Sequence, residues 1–273
     1  MNKRTVWTAA LAVYCLCFAL RVIEYFCIRT DATVIGEAVI HKTLGIIILF
    51  VAAKLLSFTP QKIGFRKDKA AAKLLAGFCL GLCCYALSYG TEVFLMKRSG
   101  TFERLGLFVT SYSVDGNLGM RTGLLFFAVC IIGNIINVVM EEGVFRGLLQ
   151  KLFERRYRFF ASAIFASVLF GLWHCVGPVR SFADGASGMT QLVANLIILI
   201  GSSFLVGLKY AMLAKLTGSL YAGMADHFVN NTIVNILHVA GSSGIDRLQT
   251  VRISIAQSVS FIIVLVLYLR RKK

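Results

Sequence analysis

Apolar windows of about 17 to 25 residues, each long enough to cross ~30 Å of hydrocarbon as a helix, recur along this chain. They fall at roughly 5–27, 36–58, 71–95, 122–145, 159–176, 190–210, 217–239 and 252–269, and predict eight transmembrane helices. The connections are short except for Thr59 to Ala70, Lys97 to Arg121, Val179 to Gly188 and Gly241 to Arg252. No Pro/Ser-rich linker or shift of composition divides the chain, so the expected architecture is one all-α, polytopic membrane bundle spanning 1–273. There is no internal repeat of the kind on which inverted-repeat transporters are built.

Against this background a few polar side chains stand inside apolar runs. An ionisable group at the bilayer centre costs about 2.5 to 3.5 kcal/mol on insertion scales, so each such group is a functional candidate until a partner explains it. Four clusters qualify: Glu141/Glu142/Arg146, His174, His227/Asn231, and the pair Asn134/Asn137. Glu142 and Arg146 are four apart and share a helix face, which predicts an intrahelical ion pair. Glu141, rotated about 100° away, is expected to stay unpaired. Gly143 and Gly147 form a Gly-x-x-x-Gly that lets another helix approach closely.

The spacing also relates one helix to the next. If spans four and five form a hairpin, the midpoint of 141 and 174 falls in the basic turn Glu154 to Arg158, which sets Glu141 opposite His174. His227 lies twelve residues from Lys215, ~18 Å of helix, and Glu141 ten from Lys151, ~15 Å, so one shared intramembrane site is expected. Since Lys215 and the hairpin turn are both basic, the site is expected to open toward that side.

Composition sharpens the class. A content of 58% hydrophobic and 15% charged residues is too apolar for a soluble domain. The net charge of +16 would suit nucleic acid, but the cations sort by connection, which is the behaviour of topology signals; no nucleic-acid partner is expected. With the N-terminus in the cytosol, 18 Lys and Arg fall inside and 9 outside, leaving Arg21 and Lys54 within spans. Both termini are thus expected to be cytosolic. The first span follows Met-Asn-Lys-Arg but has no small-residue cleavage site, and it is read as a helix. The eight cysteines lie almost wholly within spans and imply no disulfide framework or Cys-x-x-Cys metal site.

The motifs "EEGVFR" (Glu141 to Arg146), "FGLWH" (Phe170 to His174) and "HFVNN" (His227 to Asn231) resemble the three signatures of the CPBP, or Abi, family of intramembrane proteases, relatives of the type II CAAX prenyl protease. Glu-Glu-x-x-x-Arg, Phe-x-x-x-His and His-x-x-x-Asn are all met, within a family-like core of about 122–239. The resemblance implies an intramembrane endopeptidase. In it Glu141 and His174 activate a water, His227 and Asn231 stabilise the oxyanion, and Glu142 and Arg146 support the site. A membrane-associated protein or peptide is the implied substrate, and the bilayer the implied surroundings. The compact connections suit a bacterial plasma membrane, where peptide maturation or immunity are the expected roles.

Plainer readings stand beside these. Asn134, Asn137, Asn230, Asn235 and His238 read as interhelical hydrogen-bonding groups, and Cys175 as apolar filler. "GASG" at Gly185 to Gly188 matches a rhomboid-type serine signature only in four small residues and reads as a turn; His-Glu-x-x-His is absent. Glu141, His174 and His227 offer a His₂Glu zinc set. Metal-independent chemistry is favoured over it, because Glu142 is committed to Arg146 and no carboxylate is seen beside His227. The rival from another class is a non-catalytic immunity or scaffold protein of the same fold, whose polar cluster only joins helices.

Overall fold

The computed structural model describes residues 1–33, 38–110 and 120–271. Gly36 and Glu37, taken as the start of the second span, the middle of the 97–121 connection, and Lys272 and Lys273 lie outside the described residues.

The chain is a helical bundle in the order α1 (Lys3–Ile23), α2 (Ile40–Leu55), α3 (Ala70–Arg98), α4 (Leu124–Glu141), α5 (Gln150–Phe153), α6 (Phe159–Trp173), α7 (Val176–Ala183), α8 (Met189–Thr217), α9 (Tyr221–Ile236) and α10 (Gln249–Arg270). Among the described residues, six helical stretches are long and apolar enough to cross a membrane. The other two expected spans, α2 and α9, are 16-residue helices, ~24 Å long. Apolar side chains cover the outside of the bundle, with Ile197 at 69%, Phe94 at 61% and Ile132 at 57% exposure. A water-soluble surface does not present such residues in continuous bands, whereas lipid accepts them. The chain is a multi-pass membrane protein.

Sequence reading left one feature inside a connection. Phe102–Leu107 (β1), Leu237–Gly241 (β2) and Gly244–Ile245 (β3) form an antiparallel sheet in the order β1-β2-β3, with Leu105 opposite Val239 and Gly106 opposite His238. The seventh span therefore ends at Ile236, not at 239. His238 explains the change. It is buried, stacks on Phe108 at 4.0 Å, and its ring nitrogens face Asp246 and, at 3.0 Å, the Phe108 carbonyl. Arg252 links Asp246 (2.9 Å) to Glu92 of α3 (2.7 Å), so the sheet is tied to the bundle by buried charge pairs.

Both chain ends lie at one end of the bundle. Arg156 donates to the Met1 carbonyl, Arg155 to that of Leu56 at 2.5 Å, and Arg271 to that of Leu216. At the opposite end Asp31 meets Arg180 at 2.7 Å and Arg29 pairs with Asp184. Five cations counted in the charge sorting prove to be buried: Arg146 and Lys209 on one side, Lys42, Arg180 and Arg252 on the other. Removing them leaves 16 against 6, so the asymmetry between the two ends steepens.

Glycine sets the closest helix approaches. A Cβ on Gly77 would lie 2.1 Å from the Ala222 carbonyl oxygen and one on Gly81 2.8 Å from the Val229 Cβ, so only glycine lets α3 press against α9 there. Gly147 likewise admits the Ile63 carbonyl oxygen, 2.8 Å from where its Cβ would stand. Met140, Phe145, Leu148 and Trp173 join Val6, Ala10 and Leu49 in the main apolar core, which fixes the helix carrying the two glutamates.

Candidate active site

The helix that begins as α4 changes winding at the glutamates. Residues Glu142–Leu149 are π-helical, and α5 resumes the ordinary winding. A π-turn inserts an extra residue in the turn, a distortion that recurs at functional sites. All eight of its residues are buried. The expected Glu142–Arg146 pair forms, with Arg146 Nη1 3.2 Å from Glu142 Oε1 and both side chains 1% exposed. The guanidinium also lies over the Phe170 ring, 3.8 Å from its centroid, on the helix that carries His174.

Glu141, His174, His227 and Asn231 line one cavity of about 220 Å³, together with Arg21, Tyr25, Lys42, Asn134, Asn137 and Asn235. Two expectations about it are corrected. Glu141 is not unpaired: Trp173 Nε1 donates to its Oε1 at 2.9 Å, Arg21 Nη1 stands 3.7 Å from the same oxygen, and Asn137 Nδ2 lies 3.4 Å from Oε2. Arg21, on a distant helix, supplies the cation that motif spacing could not show. Nor does His227 lack a carboxylate. Its Nδ1 is 2.9 Å from Glu142 Oε1 and its Nε2 3.6 Å from Glu141 Oε2. Glu142 therefore serves Arg146 and His227 together.

The hydrogen bonds assign the proton positions on the other groups. His174 Nδ1 lies 2.8 Å from the Phe170 carbonyl oxygen, which only accepts, so Nδ1 carries hydrogen and the neutral ring keeps a lone pair on Nε2. Asn231 is set by a longer chain. Lys209 is fully buried in α8, held by Asp226 at 2.5 Å and Ser260 at 2.9 Å, and donates to Gln257 Oε1 at 2.8 Å. An ammonium group has no acceptor, so Gln257 turns its Nε2 to Asn230 Oδ1 at 2.7 Å. Asn230 turns its Nδ2 to Asn231 Oδ1 at 2.8 Å. Each amide fixes the next, and Asn231 is left with its Nδ2 as the group available to the cavity. Sequence reading took Lys209 for a loop cation and Asn230 for helix glue; the signal was a lysine between the apolar runs of α8 and the start of its last turns.

The cavity sits about midway along the bundle. His227 is six residues, ~9 Å, into α9, whereas Asn235 is fourteen, ~21 Å, from the same start. From the glutamates the polar wall runs through Arg21 near the end of α1 and Lys42 near the start of α2, away from the chain termini. The expectation of a site facing the basic end is corrected: the basic residues there line a different cavity. Gly185 to Gly188 form the turn between α7 and α8, with Gly185 at φ 75°, and do not line the site. Among the described residues no group of three or more His, Cys, Asp or Glu side chains is gathered as a metal ion requires.

Residues 123–233 match the model of a family described as Rce1-like, type II CAAX prenyl endopeptidase Rce1-like. No curated protein matches the chain. The matched segment runs from the start of α4 to past Asn231 and contains all three motifs and both cavity histidines. At the level of that family the activity is that of a CAAX-type intramembrane endopeptidase, and the matched segment, which supplies Asn134, Asn137, Glu141, His174, His227 and Asn231 to the cavity, is CPBP, CAAX protease-like.

Proposed function

We propose that the protein is an intramembrane endopeptidase that hydrolyses a peptide bond in a membrane-associated protein or peptide, by a metal-independent attack of water. The observation that carries this reading is the convergence of Glu141, His174, His227 and Asn231 on one small cavity between the helices. Water entering there meets two proton acceptors, the Glu141 carboxylate and the His174 Nε2 lone pair. As the water oxygen bonds to the scissile carbonyl carbon, Glu141 takes one proton and His174 Nε2 holds the second hydrogen. The carbonyl π electrons move to oxygen, and the resulting oxyanion accepts from Asn231 Nδ2–H and from Nε2–H of a doubly protonated His227. Glu142 holds the other N–H of that ring. Collapse of the tetrahedral adduct breaks the C–N bond, and the proton on Glu141 passes to the leaving amine.

Arg21 and Trp173 hold Glu141 Oε1, which keeps the carboxylate oriented in a site of low dielectric. Preorganised donors at the oxyanion are worth about 2.7 to 4 kcal/mol each when removed singly. Two positive groups on the cavity wall, Arg21 and Lys42, oppose a dication among these ligands. The carboxylate on His227 is an arrangement metal-bound histidines also use, so metal content is a necessary measurement. The termini, in this reading, are cytosolic in a bacterial plasma membrane.

The test is Glu141→Gln in purified protein reconstituted in a bilayer, with a prenylated CAAX peptide and a transmembrane peptide library as substrates and mass spectrometry as readout. The amide keeps an acceptor for Trp173 but cannot take the proton. Loss of cleavage by more than ~10³-fold at unchanged yield and melting temperature is expected. Retained cleavage rejects the mechanism. One tightly bound zinc, with activity lost on chelation and restored by zinc, rejects the metal-independent step.

A further inference from the structure

A second, basic cavity lies at the other end of the chain's charge map, and the chemistry above does not use it. It encloses about 670 Å³ between the 56–69 connection, the π-helical segment with α5, and the α8–α9 turn. Its walls are fixed to one another: Leu220 N–H and Ser219 Oγ–H both donate to the Gly64 carbonyl at 3.1 Å. Six cations line it, Lys62, Arg66, Lys67, Arg146, Lys151 and Lys215, against one acid, Asp68. Asp68 faces Lys73 at 3.3 Å, Lys151 is paired with Glu154 at 2.6 Å and Arg146 with Glu142. The remaining four are exposed and have no carboxylate partner among the described residues.

Topology alone explains basic residues at this end, but not the polar atoms in the floor of the cavity. Arg146 and Gln150 are each 2% exposed. Arg146 stacks over Phe170 with Nη2 against Gly207 of α8, whereas Gln150, which lines the cavity, has its Oε1, an acceptor, buried without a hydrogen-bond partner. A buried polar atom left unsatisfied costs about 1 to 3 kcal/mol, and an acceptor beside four cations without carboxylate partners calls for a ligand with both an anionic oxygen and a hydroxyl. The cavity lies beside the end of α8 at Thr217 and the start of α3 at Ala70, where the long apolar helices end.

We propose that this cavity binds a polyol phosphate, the group carried by an anionic glycerol phospholipid: the phosphate among Lys62, Arg66 and Lys215, and the polyol hydroxyl on Gln150 Oε1. Basic cavities between helices on one side of a membrane are suited to such headgroups, and each Lys or Arg near a lipid phosphate contributes about 1 kcal/mol.

The test uses the full chain in detergent and measures binding of short-chain phosphatidylglycerol, short-chain phosphatidylcholine and free glycerol phosphate by calorimetry. Two triple variants are compared: Lys62→Gln with Arg66→Gln and Lys215→Gln in the cavity, and Arg4→Gln with Arg158→Gln and Arg270→Gln as a control. The control removes the same charge from exposed positions outside the cavity. Phosphatidylglycerol is expected to bind the unaltered protein at least ~10-fold more tightly than phosphatidylcholine. The cavity variant is expected to lose ~10-fold or more, and the control less than ~3-fold. Glycerol phosphate binding that is lost with the cavity variant supports the same chemistry with a soluble source. Equal losses in both triple variants, or no preference for the anionic ligand, overturn the proposal. None of these readouts depends on proteolysis.

Discussion

Replacing Gln257 by Glu tests the amide chain that orients Asn231 without touching the cavity. Gln257 is on α10 and contacts neither glutamate nor histidine of the site. Its two bonds, to Lys209 at 2.8 Å and Asn230 at 2.7 Å, set the direction of the chain. A carboxylate at 257 still accepts from Lys209 but now presents an acceptor to Asn230, which must turn its Nδ2 toward it. Asn230 then offers Oδ1 to Asn231, and Asn231 turns in the same way, exposing Oδ1 to the cavity where Nδ2 stood. The Tyr85 hydroxyl, which donates to Asn230 Oδ1, can accept instead and does not resist the change. An oxyanion donor becomes an acceptor, so the loss is at least that of deleting one donor: about 10² to 10³ in kcat. Gln257→Met removes the constraint without reversing it and leaves Asn231 free to turn either way, so the expected loss is smaller, about 2- to 10-fold. Cleavage rates of the three proteins are measured in the same bilayer, with melting temperature as the check on folding. Gln257→Glu as active as Gln257→Met, with both well folded, refutes the orientation argument.

Other outcomes follow from single contacts. Arg146→Ala leaves Glu142 buried beside His227 without its cation and is expected to destabilise by about 3 to 5 kcal/mol; normal yield and melting temperature with no turnover would contradict the supporting role. Gly147→Ala drives a Cβ to 2.8 Å from the Ile63 carbonyl oxygen, and overpacking against backbone is expected to cost about 1 to 3 kcal/mol, read as a lowered melting temperature. Gly143→Ala drives a Cβ to 2.4 Å from the end of the Leu49 side chain, with the Phe65 ring at 3.4 Å, and because side chains yield where backbone does not it is expected to cost less. Asp246, in the sheet region, is driven up by burial, but bonds from His238, the Val239 N–H and Arg252 outweigh that and hold it below the usual carboxylate range. A folded-state value below the unfolded one means that its stabilisation is present at neutral pH and is lost as pH falls through the folded value. Asp246→Asn should therefore flatten the acid limb of stability against pH; an unchanged acid limb would count against this pairing. Single cysteines at 151 to 158 should react only with reagent on the cytosolic side, and labelling solely from outside would reverse the proposed topology.

What sequence reading could reach is separated from what it could not by the distance along the chain over which each contact acts. Apolar run length fixed the bundle, because every backbone polar group in lipid must be satisfied within a helix. The i, i+4 relation gave Glu142 with Arg146, and the hairpin midpoint gave Glu141 with His174, since both depend on helix pitch alone. Arg21 was seen as a cation inside a span but not assigned, because about 120 residues and an unknown helix order separate it from Glu141. Lys209 was misread because the apolar count around it ends close to a true helix end, and only the packing of α9 and α10 shows Asp226, Gln257 and Ser260 beside it. The sheet escaped because its strands are distant in the chain and short, and β2 continues an apolar run without a break.

Two adjacent carboxylates in a membrane helix now have separate reasons to be there. On an ordinary helix, neighbours point about 100° apart, and the π-turn that begins at Glu142 keeps both of them engaged with the single imidazole of His227, at 2.9 Å and 3.6 Å. Glu142 is buried at 1% exposure beside Arg146, and it faces the Nδ1 of His227. Glu141 reaches the same ring from the cavity side, where the proposed mechanism places substrate and water. Swapping their environments would leave the proposed base paired with a buried guanidinium and the orienting group on the cavity wall. The order Glu-Glu-x-x-x-Arg, with the arginine in register with the second glutamate and not the first, thus ties one carboxylate to a buried guanidinium and leaves the other on the cavity wall, as the proposed mechanism requires.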